Sequence, residues 1–499
     1  MAGRIQIITR GHVSDLLLDN PSFSFFTKKY NKHTNWANEN FKLDFDKKIY
    51  TDDYFDVTIP AKYGDILKGV TLSFNCDKSK LPGIIDGLVP IGSVGQLGEE
   101  VLMYVIEKFG ISVIEYVELL LGDQIIDKLT GDDIFIYNEL NVPDSYAPSL
   151  DIMHGPSFTY SQGGVFPVQQ EVDGQYYATL YNDGNIDTEF RIQLPFYFHN
   201  RPKNGFPLCA INKQEFKVRI KLRSARETIF VGGEQAYSNG LGGNETEANL
   251  PFRNLWHPKA EKNIARQIEL DNFAVNLDLV HLNKTERCKI QSKPMNLLIE
   301  QHQHNTFSIE PQSKFGEFNL DFKNPVKDMY FIAKKNEPWS DEQISKLDQM
   351  RGVSDSAHDS FQSWQRSCYG KKPVPHMYTP QKVVTLKCDG ISILNEITGS
   401  HIFTSVTIPN VYYKRSPFAR NIGAYSFALQ PGQLEPSGHL DFSLIKDAKL
   451  TMELPTDGSH QDSTNPNGFG PLYFRKQVII LAKSYNVIHI DNGIGKILF

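Results

Sequence analysis

The stretch Gly423 to Leu454, GAYSFALQPGQLEPSGHLDFSLIKDAKLTMEL, decides how this chain is read. Tyr425, Phe427 and Leu429 alternate with Ser426, Ala428 and Gln430, the two-residue period of a strand with one buried face. Pro431-Gly432 and Glu435-Pro436-Ser437-Gly438 interrupt that run with turn-forming residues. A second period follows at Leu440, Phe442 and Leu444, and a third at Leu450, Met452 and Leu454, with a bend expected near Lys446-Asp447. Periodicity alone therefore gives an antiparallel sheet.

The wording of the stretch carries more. Tyr425 to Leu429, Pro431, Pro436-Ser437-Gly438, Phe442-Ser443 and Ala448 to Leu450 resemble the C-terminal signature of major capsid proteins of nucleocytoplasmic large DNA viruses, of the algal-virus, mimivirus and iridovirus kind. The resemblance implies an all-β chain with two tandem eight-stranded antiparallel jelly rolls, long inter-strand loops and a few short helices.

The bulk numbers agree with a globular, strand-rich protein. The 499 residues exceed one ordinary core, so two to three domains are expected. Hydrophobic residues make up 40% and charged residues 22%, and 36 Gly and 27 Pro favour many turns. Basic residues number 52 and acidic residues 58, a formal charge of -6 that gives no overall attraction to nucleic acid or an anionic bilayer. The five cysteines, Cys76, Cys209, Cys288, Cys368 and Cys388, are scattered without CxxC or Cys/His spacing, which argues against a disulfide framework or zinc finger and for a reducing compartment. The first twenty residues lack the apolar core of a signal peptide. The apolar stretch Val101 to Gly122 carries Glu107, Lys108, Glu115 and Glu118, so no transmembrane segment is expected.

Outward from the opening stretch, the resemblance recurs in order. Asn20-Pro21, Phe25-Phe26, Lys28, Tyr30 and His33-Thr34-Asn35 resemble the family's opening, with Trp36 where Phe is usual. Phe41, Leu43 and Phe45 alternate as a first strand, and Ile59-Pro60 with Gly64-Asp65-Ile66-Leu67 resemble "IPRxGDLI". Val101, Leu102, Val105, Ile106 and Phe109 fall at helical spacing, so a short amphipathic helix is expected there. Val113 to Leu140 places Gly122-Asp123 between two β-rich runs, a hairpin signal, and matches "KYVELEIGGQRIDKHYGDWLxIWNEL" at Gly122, Gln124, Asp127, Gly131-Asp132 and Asn138-Glu139-Leu140. Ile192 to Phe198, Leu297 to Gln301, Asn324 to Asp328 and Tyr485-Asn486-Val487 with Gly493-Ile494-Gly495 resemble "IPLPFWF", "YLIEQ", "NHPVKELIWV" and "NYNVLRIxxGMGG". An internal echo, Val117 to Asp123 against Val384 to Gly390, supports two copies of one fold. The expected organisation is an N-terminal arm at 1–38, a first jelly roll at 39–284 with loop insertions at 141–188 and 223–268, a linker at 285–296, and a second jelly roll at 297–499 with an insertion at 335–380.

Little in the chain suggests chemistry. Asp132-Asp133, read as strand residues, would point to opposite faces and could not converge as a catalytic pair. The Gly-rich run in 223–268 lacks the Lys-Ser/Thr of a P-loop. No metal site is assigned. His302 and His304 come nearest, since i and i+2 on a strand share a face, but Gln301 and Gln303 interleave and no third ligand is evident, so a solvated edge or core-rim pair is preferred. Asn244 and Asn283 begin formal glycosylation sequons. No catalytic constellation or cofactor is expected.

The resemblance implies a structural capsid protein and not an enzyme: homotrimeric pseudo-hexagonal capsomers tiling an icosahedral shell. Its implied partners are itself, neighbouring capsomers and minor capsid proteins beneath the shell, reached by the N-terminal arm. No direct contact with nucleic acid is implied, an inner viral membrane lies close, and synthesis is in host cytoplasm or a virus factory. A minor or penton-associated double jelly-roll protein is the alternative within the family. A cupin-like metalloenzyme and a carbohydrate-binding β-sandwich are the alternatives outside it.

Overall fold

The computed structural model describes residues 32–45, 47–76, 100–105, 108–154, 170–172, 175–177, 189–224, 229–234, 255–256, 267–309, 315–335, 383–398, 413–415, 422–453 and 476–499, with scattered positions before residue 32. The expectations for most of the arm, for the bulk of the three insertions and for Asn244 lie outside the described residues.

The strands of the first half are β1 (Trp36–Asp44), β2 (Ile49–Tyr50), β3 (Tyr54–Ile59), β4 (Ile66–Asn75), β5 (Glu100–Val105), β6 (Ile114–Leu121) and β7 (Gln124–Thr130). They continue with β8 (Gln170–Val172), β9 (Gln175–Tyr177), β10 (Glu189–Gln193), β11 (Phe216–Leu222), β12 (Ile229–Glu234), β13 (Leu255–Trp256) and β14 (Glu269–Leu282). The second half adds β15 (Met295–Ile309), β16 (Phe315–Asn319), β17 (Pro325–Lys335), β18 (Val383–Cys388) and β19 (Ile391–Thr398). It closes with β20 (Ile422–Ser426), β21 (Leu440–Asp441), β22 (Ala448–Glu453), β23 (Lys476–Asp491) and β24 (Ile494–Ile497). Among the described residues the helices are α1 (Phe109–Ser112), α2 (Gly131–Asn141), α3 (Ala147–His154) and α4 (Lys284–Ser292).

The same topology is built twice. In the first half, β1-β14-β4-β10 faces β3-β11-β6-β7; in the second, β15-β23-β17-β20 faces β16-β22-β18-β19. Position by position the two orders correspond, every neighbouring pair is antiparallel, and each set of eight strands forms one jelly roll. The Val117/Val384 echo falls on β6 and β18, which hold the same place in the two copies. Alternation explains the sandwiches: β3 and β11 bury every second residue, so Phe55, Val57 and Ile59 lie beside Ile220, Val218 and Phe216 on one buried face. Phe74, Phe109, Phe190 and Phe273 pack ring to ring with centroids 5.4–5.8 Å apart.

A shared irregularity fixes the alignment of the copies. On β4, Leu67 pairs with Leu279 and Gly69 with Asp278, leaving Lys68 as the extra residue of a bulge. On β17, Val326 pairs with Ser484 and Asp328 with Lys483, leaving Lys327 as the extra residue. A bulge re-aims the side chain it carries, and in both sandwiches that side chain is a lysine.

Several expectations are corrected. Val101–Val105 belongs to strand β5, paired with β12, and helix begins only at Phe109. Gly131–Asn141 is a helix: Thr130 and Asp133 form a reciprocal capping box that ends β7 and starts α2, overriding the β-rich composition of Ile134-Phe135-Ile136. Asp132 and Asp133 are therefore in the first turn of a helix. The alternation at Leu440, Phe442 and Leu444 yields only the two-residue β21, followed by a 3-10 turn at Phe442–Leu444 whose Ser443 N–H is capped by Asp441. The expected loop at 141–188 opens with the helix α3, and the insertion at 223–268 contains β12 and β13. The charged link after β14 folds as α4, capped by Asn283, whose side-chain oxygen accepts from the Glu286 N–H at 2.9 Å.

Candidate functional site: the seam between the two sandwiches

Around Glu300 to His304 the outer face of the β15-β23-β17 sheet is turned away from solvent. It packs on α2, β7 and the 194–215 segment of the first sandwich, and a run of buried polar contacts lies there. Glu300 on β15, 4% exposed, accepts from Arg201 Nη1 at 2.8 Å and from Lys327 Nζ. Lys327, fully buried on its bulge, also donates to Pro431 O at 2.7 Å and Gln433 O at 3.2 Å, so its ammonium is saturated. Arg201 comes from the other sandwich and donates its second nitrogen to Gly432 O at 3.1 Å. Burial works against an ionised Glu300, but the positive charges of Lys327 and Arg201 outweigh it and hold the carboxyl down at about 2.

Next along β15, the Gln301 amide donates to Ile126 O at 2.6 Å and accepts from Asn486 at 2.8 Å. The His302 N–H donates to Asp127 Oδ1 at 2.8 Å, and its ring Nδ1 lies 3.0 Å from Asp127 Oδ2. His304 Nε2 lies 2.6 Å from Asp133 Oδ2, the same oxygen that accepts from Thr130 N–H and Oγ1. Burial opposes both charges of this pair; the electrostatic attraction nevertheless raises the His304 pKa and drives Asp133 well below the carboxylate range. The capping carboxylate of α2 thus doubles as the anchor for the second sandwich.

The C-terminal hairpin completes the seam. Lys213 N–H donates to Gly493 O at 3.1 Å, Gly495 N–H donates to Gln214 Oε1 at 2.8 Å, and Asn486 donates to the terminal Phe499 O at 2.6 Å. Gly493 has φ +82, and a Cβ there would lie 1.9 Å from Asn212 Oδ1; a Cβ on Gly495 would lie 2.5 Å from Leu121 Cδ2. The glycines are needed for that approach. Lower down, Arg287 of α4 pairs with Asp65 at 2.7 Å, and Gln291 donates to Cys209 O at 3.0 Å.

His302 and His304 do share a face, as their spacing predicts, but that face is a protein interface and neither a solvated edge nor a core rim. Each ring nitrogen addresses a different carboxylate, and among the described residues no group of three His, Cys, Asp or Glu side chains is arranged to hold a metal ion. Sequence reading missed Glu300, Lys327, Asp127 and Arg201 as working residues. The first three lie in family-like words, where they served only to mark strands. The signal was present: Glu300 follows Leu297-Leu298-Ile299 and Lys327-Asp328 interrupts Val326 and Met329, so charges sit inside apolar strands and require partners.

Comparison with known proteins bears on what such a molecule is. Residues 24–254 match the family described as major capsid protein N-terminus, and residues 286–496 match large eukaryotic DNA virus major capsid protein. The chain belongs to this family of viral major capsid proteins. The major capsid protein of Pyramimonas orientalis virus is 23% identical over 499 residues, covering 100% of this chain and 99% of the relative. That of Paramecium bursaria Chlorella virus 1 is also 23% identical, with both chains covered completely. Among solved structures, the PBCV-1 virus capsid superimposes with a TM-score of 0.60 at 18% identity, over 95% of this chain and 100% of the other. The Faustovirus major capsid protein gives 0.59 at 13% identity, over 98% and 96%. These neighbours share the double jelly-roll fold, and the role of the family is structural. Among the described residues, no helix is long and apolar enough to cross a membrane.

Proposed function

We propose that three copies of this chain close into a ring of six sandwiches, a pseudo-hexagonal capsomer that tiles an icosahedral shell. One observation carries the reading. The outer face of the second sandwich is covered by the first, whereas the matching face of the first sandwich, on β1, β14 and β4, is open: seven of the nine β1 residues are exposed. A molecule that covers one of two equivalent faces with its own other half has a surface suited to the half it lacks. Repeating the intrachain contact between chains gives a heterologous interface, and three chains close it.

The division into an arm (1–38), two sandwiches (39–284 and 297–499) and a link (285–296) belongs to the same proposal, as do contacts of the arm with minor capsid proteins and of capsomers with each other. Assembly would follow synthesis in host cytoplasm or a virus factory, and the reading assigns the chain no catalytic activity. Light scattering on purified protein tests the oligomer: a trimer mass with a six-lobed ring in negative stain is expected. A monodisperse monomer at micromolar concentration would rule the proposal out.

A further inference from the structure

Superposing the registers of the two sandwiches locates a counterpart of the buried Glu300 site on the open face. The bulge lysine Lys327 corresponds to Lys68. Glu300 pairs with Tyr485, one residue beyond the bulge partner Ser484; Asn38 pairs with Val280, one residue beyond the bulge partner Leu279. Asn38 therefore stands where Glu300 stands, and the contact is repeated: Lys68 Nζ donates to Asn38 Oδ1 at 3.0 Å. In the closed site Arg201 arrives from the neighbouring sandwich. In the open site the corresponding place is a cavity of about 380 Å³ whose walls include Asn38, Asn40, Lys68, His199, Asp278 and Arg201 itself.

The residue that would arrive there can be identified. Phe206 bridges Leu67 beside the first bulge, and Leu440 pairs with Val326 beside the second. Arg201 lies five residues before Phe206, and Glu435 lies five before Leu440; each is followed by proline. The visiting position thus carries a cation in the first sandwich and a carboxylate in the second, while the receiving site carries Glu300 in one and Lys68 beside a neutral Asn38 in the other. Arg201 and Asp278 also line the open cavity, so an arriving carboxylate meets two cations against one fixed negative charge. Glu435 is exposed and Lys68 half-buried, and among the described residues neither forms an ion pair within the chain.

We propose that Glu435 of one copy enters the Asn38–Lys68 cavity of the next and pairs with Lys68, making the intermolecular counterpart of the Arg201–Glu300 contact. The inference rests on the trimeric reading above and specifies which surfaces form it. The ion pair across the interface is expected to couple strongly, because the site is enclosed once the neighbour docks.

Charge reversal in the full chain tests it. Lys68→Glu and Glu435→Lys, made singly, are each expected to raise the concentration at which trimers dissociate by at least about tenfold by light scattering. The double reversal should return it close to the parent value. Trimers that dissociate like the parent in both single variants, or a double variant no better than the singles, would overturn the contact while leaving the trimer intact. A parent protein that never trimerises would overturn both. Lys68→Cys with Glu435→Cys supplies an independent reading: oxidation should yield a covalent trimer on a non-reducing gel that neither single cysteine gives, and trimers lacking that crosslink would refute the pairing.

Discussion

The closed site on the second sandwich and the open site on the first are one piece of architecture in two environments. Both place a bulge lysine beside the strand that opens the jelly roll, Lys327 by Glu300 and Lys68 by Asn38. They differ in what covers them. Where α2 and Arg201 seal the site, the lysine is fully buried and a carboxylate stands opposite; where the site opens to solvent, with Lys68 half-buried and Asn38 exposed, an amide suffices. The difference teaches that side-chain charge here follows enclosure. A lysine removed from water needs a counter-ion, and one that keeps water does not.

The largest expected effect comes from removing that counter-ion. Glu300→Leu leaves Lys327 and Arg201 facing each other across the seam, and the loss of stability should reach about 3–5 kcal/mol, read as a fall in the denaturation midpoint. Asn38→Ala at the matching open position should stay within about 0.5 kcal/mol. Equal costs at the two positions would dissolve the distinction between closed and open.

Acidity probes the neighbouring contact, with His304→Gln expected to cost about 1.5–3 kcal/mol near pH 6. His304 has a raised folded pKa, so its contribution is complete below the ordinary value of 6.5 and is lost as pH climbs through the raised one. Asp133 has a depressed folded pKa, so its contribution is complete above the ordinary 3.8 and is lost as pH falls through the depressed one. The pair thus supports the seam fully between those ordinary values. The parent should lose stability on passing from mildly acidic to alkaline solution, and the glutamine variant should lose less; parallel pH profiles would remove His304 from the seam.

A somewhat smaller effect is expected at the C-terminal hairpin. Gly495→Val and Gly493→Ala push a Cβ into Leu121 and Asn212, the latter at a positive φ, for about 1–3 kcal/mol each. Backbone hydrogen exchange should rise in Ile494–Ile497 and at 211–215 while β16 and β22 stay protected. Uniform exchange across both sandwiches would mean that the hairpin does not act as a separate clasp.

How much of this was legible beforehand follows from the range of each interaction. A strand whose two-residue period reflects a single buried face, such as Trp36–Asp44 with Phe41 and Leu43 turned inward, could be read directly. The helix Gly131–Asn141 could not, because Thr130 and Asp133 decide it through one local hydrogen-bond exchange against the β preference of the residues that follow. The seam was the least legible part. His302 lies 175 positions from Asp127 and Arg201 lies 99 from Glu300, and periodicity says nothing about pairs so far apart. Only the unusual presence of charges within apolar strands pointed there.

The finest test installs the closed-site chemistry on the open face. Asn38→Glu gives Lys68 a carboxylate of its own, an exposed pair worth about 0.2–1 kcal/mol to the folded chain, so the denaturation midpoint should barely move. Assembly should respond in the opposite direction. With Lys68 already paired and the Asp278 carboxylate also lining the cavity, the approaching Glu435 of another copy meets repulsion, and trimers should dissociate at higher concentration than the parent. Because stability and assembly are expected to part company in this one substitution, a common shift in both would show that the open face is only surface, and that its likeness to the buried site is an inheritance of the duplicated fold without a use.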